Sequence, residues 1–122
     1  KNVVEVGRRD TKEKRVVPLE GIAQYVESLL AEIQTGMFDK AKAYQQEHIT
    51  PADSWEEFEK LLEGKGGFIA AHWDGTDETE EAIKEKTKAT IRCIPLENKQ
   101  EEGKCILTGK PSNERVLFAR AY

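Results

Sequence analysis

Apolar residues recur at every third or fourth position over a long stretch of the first half of the chain. This spacing matches the 3.6-residue period of an α-helix, so the side chains form one apolar stripe. The sequence therefore predicts one amphipathic helix from about residue 18 to about residue 48, roughly 45 Å long. Pro18 suits its first turn, where a missing N–H is harmless, and Gly36 is its weakest interior position. The stripe consists of Ile22, Tyr25, Val26, Leu29, Leu30, Ile33, Met37, Phe38, Ala41 and Tyr44.

The length and composition are those of small globular domains. With 122 residues, 38% hydrophobic and 34% charged, the chain can bury one modest core or two very small ones. No apolar run approaches the roughly 20 residues that span a bilayer and no signal peptide opens the chain, so we expect no membrane partner. The two cysteines form no disulfide framework, which favours a reducing, cytoplasmic setting. Because the first residue is Lys1, we expect a fragment of a longer protein.

Charge is distributed unevenly along the chain. The net charge of −4 argues against a dedicated nucleic-acid-binding domain. Residues 1–15, however, hold six cations and only three anions. Any contact with phosphate groups is therefore expected near the N-terminus, where counterion release would favour binding. The alternative is a solvated hairpin with ordinary surface charge.

The long helix is expected to end near Pro51. Proline disfavours helical geometry in the residue before it, and we place the boundary between two units at about residue 50. Ser54 and Glu57 then fit a capping box, in which each side chain satisfies a free backbone N–H at the start of a short helix. The buried face of this helix is expected to comprise Trp55, Phe58, Leu61 and Leu62.

The remaining elements alternate between β and α patterns. This alternation predicts an α/β (α+β) chain, with a strand and a long helix first and a small sheet in the second unit. The expected strands are 2–7, 68–73, 90–95 and 115–121, with a further helix over 77–88.

The segment Cys105–Gly109 has the form of a metal-binding turn, Cys-x-x-Cys-Gly, in which Thr108 replaces the second cysteine. A structural zinc site needs four ligands, most often thiolates. The set of His72, Asp74 and Cys105 is disfavoured, because a histidine on an apolar strand is more often a structural residue. We therefore predict no metal and expect apolar packing to stabilise this unit. The expected core comprises Trp73, Ile83, Ile91, Ile94, Leu107, Val116 and Phe118, with Cys93 as a packed cysteine.

Several segments carry a family resemblance. The segments are Glu85–Pro95, Gly103–Cys105, Gly109–Ser112 and Val116–Tyr122, supported by Val4–Thr11, Asp53–Phe58 and Phe68–Trp73. Taken in order, they resemble the C-terminal region of prolyl-tRNA synthetase of the archaeal and eukaryotic-like type. The resemblance implies that residues 1–50 are the last strand and helix of an incomplete class II anticodon-binding domain. It implies that residues 51–122 are the small α/β C-terminal domain that follows.

The resemblance also bears on the metal-binding turn. In the family, two further zinc ligands are cysteines five residues apart just before a helix, and the matching positions here are Asp74 and Thr79. Of the four expected ligands only Cys105 remains, since neither Thr79 nor Thr108 can act as a thiolate. Zinc is therefore not expected.

The resemblance implies a role in aminoacylation. The whole enzyme activates proline with ATP and Mg²⁺ and transfers it to proline tRNA. Its catalytic domain lies outside this chain, so we expect no catalysis from the chain alone. Lys12 best matches a residue that contacts the anticodon, with Arg8 and Arg9 as further base or backbone contacts. The family's final tyrosine directs its carboxylate toward the active site, and Tyr122 takes that position. The implied partners are proline tRNA, the catalytic domain of the same polypeptide and a second subunit in a homodimer.

Each implied role has a simpler interpretation. The three basic residues are then ordinary exposed charges, and Tyr122 is an apolar residue that closes the small sheet. For the whole chain, the alternative is a stand-alone module that binds a protein partner through the exposed face of the long helix. Zinc or thiol chemistry is disfavoured by the missing ligands.

Overall fold

Strands β1 (Val3–Gly7) and β2 (Lys14–Pro18) form an antiparallel hairpin at the start of the computed structural model, which describes residues 1–121. The strand predicted at 2–7 is confirmed. The placement of Pro18 in a helix is wrong, because Pro18 ends β2 and pairs with Val3. A two-stranded sheet has only edge strands, where proline is tolerated.

Helix α1 (Ile22–Glu47) confirms the long amphipathic helix and runs through Gly36 without a break. It begins later than predicted because the hairpin continues to Pro18 and Gly21 then turns the chain with a φ of 79°. None of its residues is buried within the described part of the chain. The most exposed apolar side chains of its stripe are Leu30, Met37, Phe38 and Tyr44.

The chain divides into two compact units, residues 1–44 (unit 1) and 45–122 (unit 2). Unit 2 has a four-stranded sheet in the order β3-β4-β8-β5. Strand β3 runs parallel to β4, and β8 is antiparallel to both of its neighbours. This mixture of helices and short sheets confirms the predicted fold class. The elements are β3 (Ile49–Pro51), α2 (Trp55–Glu63), β4 (Phe68–His72), α3 (Asp77–Thr87), β5 (Ala89–Cys93), β6 (Gly103–Lys104), β7 (Pro111–Ser112) and β8 (Arg115–Arg120).

The core of unit 2 lies on one face of this sheet. Ile69, Phe118 and Ile91 are neighbours on adjacent strands, so their side chains share that face. The ring of Phe58 from α2 meets Phe118 edge to face, with centroids 5.2 Å apart, and Trp55 stacks on Phe58 at 5.4 Å. The predicted inward face of α2 is thus confirmed. The other buried apolar residues are Ala52, Leu62, Ala71, Ile83, Ala89, Ile106 and Val116.

Two residues expected in the core are exposed. Cys93 lies at the surface, and 48% of Ile94 is exposed. Strand β5 ends at Cys93, and a bulge between Ile91 and Cys93 shifts the alternation of inward and outward side chains. The residues after Ile91 therefore leave the core face. Both cysteines have free thiols.

The start of α2 differs in detail from the predicted capping box. Ser54 is the N-cap, and its Oγ accepts from the N–H of Glu57 at 3.2 Å. The carboxylate of Glu57 accepts from the N–H of Asp53 at 3.1 Å, one residue before the cap. Two otherwise free amides are still satisfied.

Replacement of Phe118 tests this core. Because its side chain is fully buried, Phe118→Ala should lower the free energy of unfolding of unit 2 by about 3–5 kcal/mol. Urea titration followed by tryptophan fluorescence would measure this change, since Trp55 and Trp73 both lie in unit 2. Leu96, which is fully exposed, gives the control: Leu96→Ala should stay within about 0.5 kcal/mol of the wild type. Equal effects of the two changes would contradict this assignment of the core.

Candidate functional site

The loop between β1 and β2 carries the three basic residues singled out in the sequence. Two backbone hydrogen bonds close it: the N–H of Arg8 donates to Glu13 O at 2.8 Å, and the N–H of Lys12 donates to Arg8 O at 3.0 Å. Lys12 has a φ of 67°, in the left-handed region that a non-glycine residue seldom adopts. The loop therefore presents Arg9 and Lys12 at a fixed turn.

Arg8 forms ion pairs with two carboxylates of unit 1. Its guanidinium donates to both oxygens of Asp10, at 2.8 and 3.1 Å, and to Glu32 of α1 at 3.2 Å. The hydrogen bonds that Arg8 donates to Asp10 and then to Glu32 raise the pKa of Arg8, and the bond from Arg8 lowers the pKa of Asp10. Arg8 thus holds the hairpin against α1.

Arg9 and Lys12 differ from Arg8 in this respect. Both are exposed, and neither forms an ion pair with another residue among 1–121. The neighbouring Lys14 pairs with Glu5 at 3.5 Å. The hairpin therefore carries Arg8, Arg9 and Lys12 on one loop, and among residues 1–121 Arg9 and Lys12 remain without an ion pair whereas Arg8 does not.

The turn Cys105–Gly109 lies in a small hairpin between β6 and β7. The N–H of Cys105 donates to Lys110 O at 2.7 Å, and the N–H of Gly109 donates to Cys105 O at 3.0 Å. Gly109 has a φ of 72°, which only glycine adopts readily. The N–H of Ile106 donates to His72 O at 2.9 Å, so the turn is fixed to the end of β4.

The three substituted ligand positions meet around one carboxylate. Oδ2 of Asp74 accepts from the hydroxyls of Thr79 at 2.8 Å and Thr108 at 2.9 Å. Oδ1 accepts from both the hydroxyl and the N–H of Thr76, at 2.8 and 3.1 Å. We call these four residues the Asp74 cluster. The position of Thr108 beside Asp74 and Thr79 matches the pairing that the family resemblance implies.

Thr76 was missed in the sequence, although it links the Asp74 cluster to a helix. It is the N-cap of α3, and its Oγ1 accepts from the N–H of Thr79 at 3.3 Å. That oxygen also lies 2.9 Å from Oγ1 of Thr79. The hydroxyl of Thr76 has only one proton to donate. Because the charged carboxylate is the stronger acceptor, this proton goes to Oδ1 of Asp74. The signal that could have found Thr76 is its cap position before the acidic first turn of α3.

The cluster controls the ionisation of Asp74. Burial opposes the charged form, but the hydroxyls of Thr79 and Thr76, the amide of Thr76 and the hydroxyl of Thr108 outweigh it and lower the pKa of Asp74 to about 2. The nearby N-terminus of α3 also favours a negative charge. The ionised carboxylate thus organises the positions that the resemblance matches to the missing zinc ligands.

No three His, Cys, Asp or Glu side chains of residues 1–121 come together as a metal site would need. His72 is buried, and its Nδ1 lies 3.0 Å from Ser112 Oγ. Because that hydroxyl donates to Glu114 O, Nδ1 of His72 carries the proton. A Cβ on Gly103 would come within 2.3 Å of Nε2 of His72, so only glycine fits there. The remaining predicted site residue, Tyr122, lies outside the described residues.

Comparisons with known proteins identify the family of this chain. The family model described as "Prolyl-tRNA synthetase, C-terminal" matches residues 55–122. Proline–tRNA ligase of Flavobacterium psychrophilum is 61% identical over 97% of the chain, and that of Porphyromonas gingivalis is 58% identical over 99%. The ligase of Christiangramia forsetii is 55% identical over the full chain.

These matches assign the chain to the aminoacyl-tRNA synthetases as a class. The chain belongs to the prolyl-tRNA synthetase family, and it corresponds to the C-terminal region of that family. It spans about a quarter of the length of these relatives, 24% to 25%. Among the helices of residues 1–121, none combines the length and apolar character of a membrane span.

Replacement of Asp74 tests the cluster. Asp74→Asn should lower the free energy of unfolding of unit 2 by about 1–2 kcal/mol near neutral pH, because charge-assisted hydrogen bonds are lost. The wild-type advantage should be full above about pH 4 and vanish toward pH 2, since the pKa is lowered from 3.8 in the folded state. Urea titrations across this range would measure it.

Asp77→Asn is the control, because Asp77 lies next to the cluster on α3 but outside it. Its effect should be smaller and should not follow the same pH course. A difference between wild type and Asp74→Asn that stays constant from pH 5 to pH 2 would contradict the role of the carboxylate.

Proposed function

We propose that this chain is the C-terminal quarter of a proline–tRNA ligase, which joins proline to its tRNA with ATP and Mg²⁺. The chain contributes tRNA binding and structural support, and it performs no catalysis alone. The observation that carries this proposal is the identity of 55–61% to proline–tRNA ligases across nearly all of the chain. The catalytic domain of the same polypeptide would bind the ATP and Mg²⁺.

Within the ligase, the β1–β2 hairpin would contact the anticodon. Exposed bases in RNA loops are recognised by hydrogen bonds and stacking, and phosphates by cations. Lys12 and Arg9 suit this role because they have no carboxylate partner among residues 1–121. Arg8 would contribute chiefly by fixing the turn, since Asp10 and Glu32 occupy its guanidinium.

The domain assignment follows from the same resemblance. Residues 1–50 would be the end of an anticodon-binding domain and residues 51–122 the C-terminal domain. The carboxylate of Tyr122 would approach the active site of the ligase. The complete enzyme would act in the cytoplasm as a homodimer, with proline tRNA as its partner.

The exposed stripe of α1 favours a second candidate, a module that binds another protein through this helix. Side chains such as Leu30, Met37 and Phe38 are each at least 60% exposed, and apolar surface of this kind is commonly covered in the functional state. In a ligase of about four times this length, other parts of the same polypeptide would cover the stripe. A stand-alone module would need a separate partner.

Loss of the Lys12 charge tests the anticodon contact. In the full-length ligase, Lys12→Ala should weaken binding of proline tRNA by about tenfold, the scale of one charge-assisted hydrogen bond. Filter binding at low salt would measure this loss. Lys14→Ala is the matched control, because Lys14 is on the same hairpin but pairs with Glu5.

Unchanged affinity of the Lys12 variant at low salt would reject the anticodon assignment. Failure of the full-length protein to form prolyl-tRNA would reject the proposed enzyme. An effect of Lys14→Ala as large as that of Lys12→Ala would show that the hairpin acts only through its general charge.

A further inference from the structure

Unit 2 has a groove at the end of its four-stranded sheet. Two adjoining cavities, of about 290 and 450 Å³, share Gly67, Arg120 and Ala121 in their walls. The first also reaches Lys65 in the loop between α2 and β4, and the second reaches Phe68 and Arg92. We call this continuous concave surface the loop groove.

The loop groove is lined by three cations that have no carboxylate partner in the part of the chain that the structure describes. The ammonium of Lys65 donates to Glu47 O at 2.9 Å, and Nε of Arg120 donates to Thr87 O at 3.1 Å. Both acceptors are neutral carbonyls, so the positive charges are not compensated. None of Lys65, Arg92 and Arg120 forms an ion pair within the described chain. In a chain with net charge −4, this concentration of free cations indicates an anionic ligand.

The backbone adds a donor to the groove. Gly66 and Gly67 have φ values of 68° and 74°, and a Cβ on Gly67 would meet His48 O at 2.8 Å. The neighbouring amides are used, since Gly66 donates to Leu61 O and Phe68 donates to His48 O. The N–H of Gly67 has no acceptor among residues 1–121. A free amide beside cations suits a phosphate oxygen.

An exposed aromatic ring narrows the choice of ligand. The side chain of Phe68 is 39% exposed and lines the groove with Arg92, beside the small residue Ala119. Cations that follow a backbone, together with an aromatic ring on which a base can stack, are typical of sites for single-stranded nucleic acid. A phosphorylated peptide would use the cations but has no general need of the ring.

We propose that the loop groove binds a single-stranded segment of RNA. Phosphates contact Lys65, Arg92 and Arg120, and one base stacks on Phe68. The inference rests on the proposed function in one respect, because that function identifies the RNA as part of a tRNA. It extends that function because it gives unit 2 its own RNA contact, separate from Lys12.

The test uses the 122-residue chain and a single-stranded oligoribonucleotide of about ten nucleotides, with fluorescence anisotropy as the readout. Arg92→Gln should weaken binding about fivefold and reduce the slope of log affinity against log salt by about 0.7, the value for one phosphate of a single strand. Phe68→Leu should weaken binding about tenfold without changing that slope, because it removes a stacking ring and no charge. Lys99→Gln, an exposed charge outside the groove, should have no effect.

NMR then locates the contact. The amide resonances of Gly66 and Gly67 should shift with the oligonucleotide and much less with the same concentration of inorganic phosphate. Affinities of Arg92→Gln and Phe68→Leu equal to the wild type would overturn the proposal. So would equal displacement of the oligonucleotide by a phosphorylated peptide.

Proline tRNA and the full-length ligase separate this proposal from the proposed function. A loss of affinity for Lys12→Ala with no change for Arg92→Gln and Phe68→Leu would reject the groove alone. The reverse result would reject the anticodon contact and support the groove. A midpoint temperature of unfolding equal to that of the wild type, measured for each variant, would show that the losses do not arise from misfolding.

Discussion

The structure of unit 2 depends on the insertion of β8 between β4 and β5. This last strand supplies Val116 and Phe118 to the core, with exposures of 1% and 0%. Strand β5 is joined to the rest of the four-stranded sheet only through β8. The partners of β8 on β4 are more than forty residues earlier in the sequence. Closing such a loop costs chain entropy before any contact is gained. The core of this unit therefore forms only when nearly the whole of its sequence is available.

Arg115 fixes the start of β8 by hydrogen bonds to several segments. Its guanidinium donates to Ala52 O and Ala70 O, each at 3.1 Å, and pairs with Glu101 and Asp53. The hydrogen bond that Arg115 donates to Glu101 outweighs partial burial and, together with Asp53, raises the pKa of Arg115. The Asp74 cluster does the same work with the opposite charge, because one carboxylate joins the end of β4, the start of α3 and the turn after β6. In both places a single ionised group satisfies donors or acceptors from segments that are distant in sequence.

The sequence was sufficient for elements whose pattern is local. The apolar stripe predicted α1, and alternation with turn residues predicted β1, β4 and β8. The start of α1 was missed because Pro18 suits a first helical turn and an edge strand equally well, and only pairing with Val3 decides between them. Strand β3 was missed because Pro51 indicated a break between elements. The strand is defined by its parallel pairing with β4, which the local sequence does not indicate. Cys93 and Ile94 were placed in the core because a bulge cannot be seen in the periodicity.

The candidate site was predictable to a similar degree. The resemblance singled out Asp74, Thr79 and Thr108, but the way a carboxylate and hydroxyls fill that space depends on their distances in the fold. Thr76 had no match in a thiolate pattern, so it was overlooked. The pairing of Arg8 with Glu32 joins a hairpin and a helix, and spacing along the sequence gives no indication of it. Such ion pairs decide which of three adjacent cations remains available.

Ion pairing determines which cations of this acidic chain remain available to an anionic ligand. The net charge of −4 argued against nucleic-acid binding, but exposed charges are largely screened beyond about 8 Å at physiological salt. A phosphate is therefore affected mainly by the groups within contact distance. Arg8 and Arg115 are held by carboxylates and add no net attraction, whereas Arg92 and Arg120 form no ion pair among residues 1–121. In the proposed function, the surrounding negative charge would disfavour RNA elsewhere on the surface and would restrict binding to the places where cations are left unpaired.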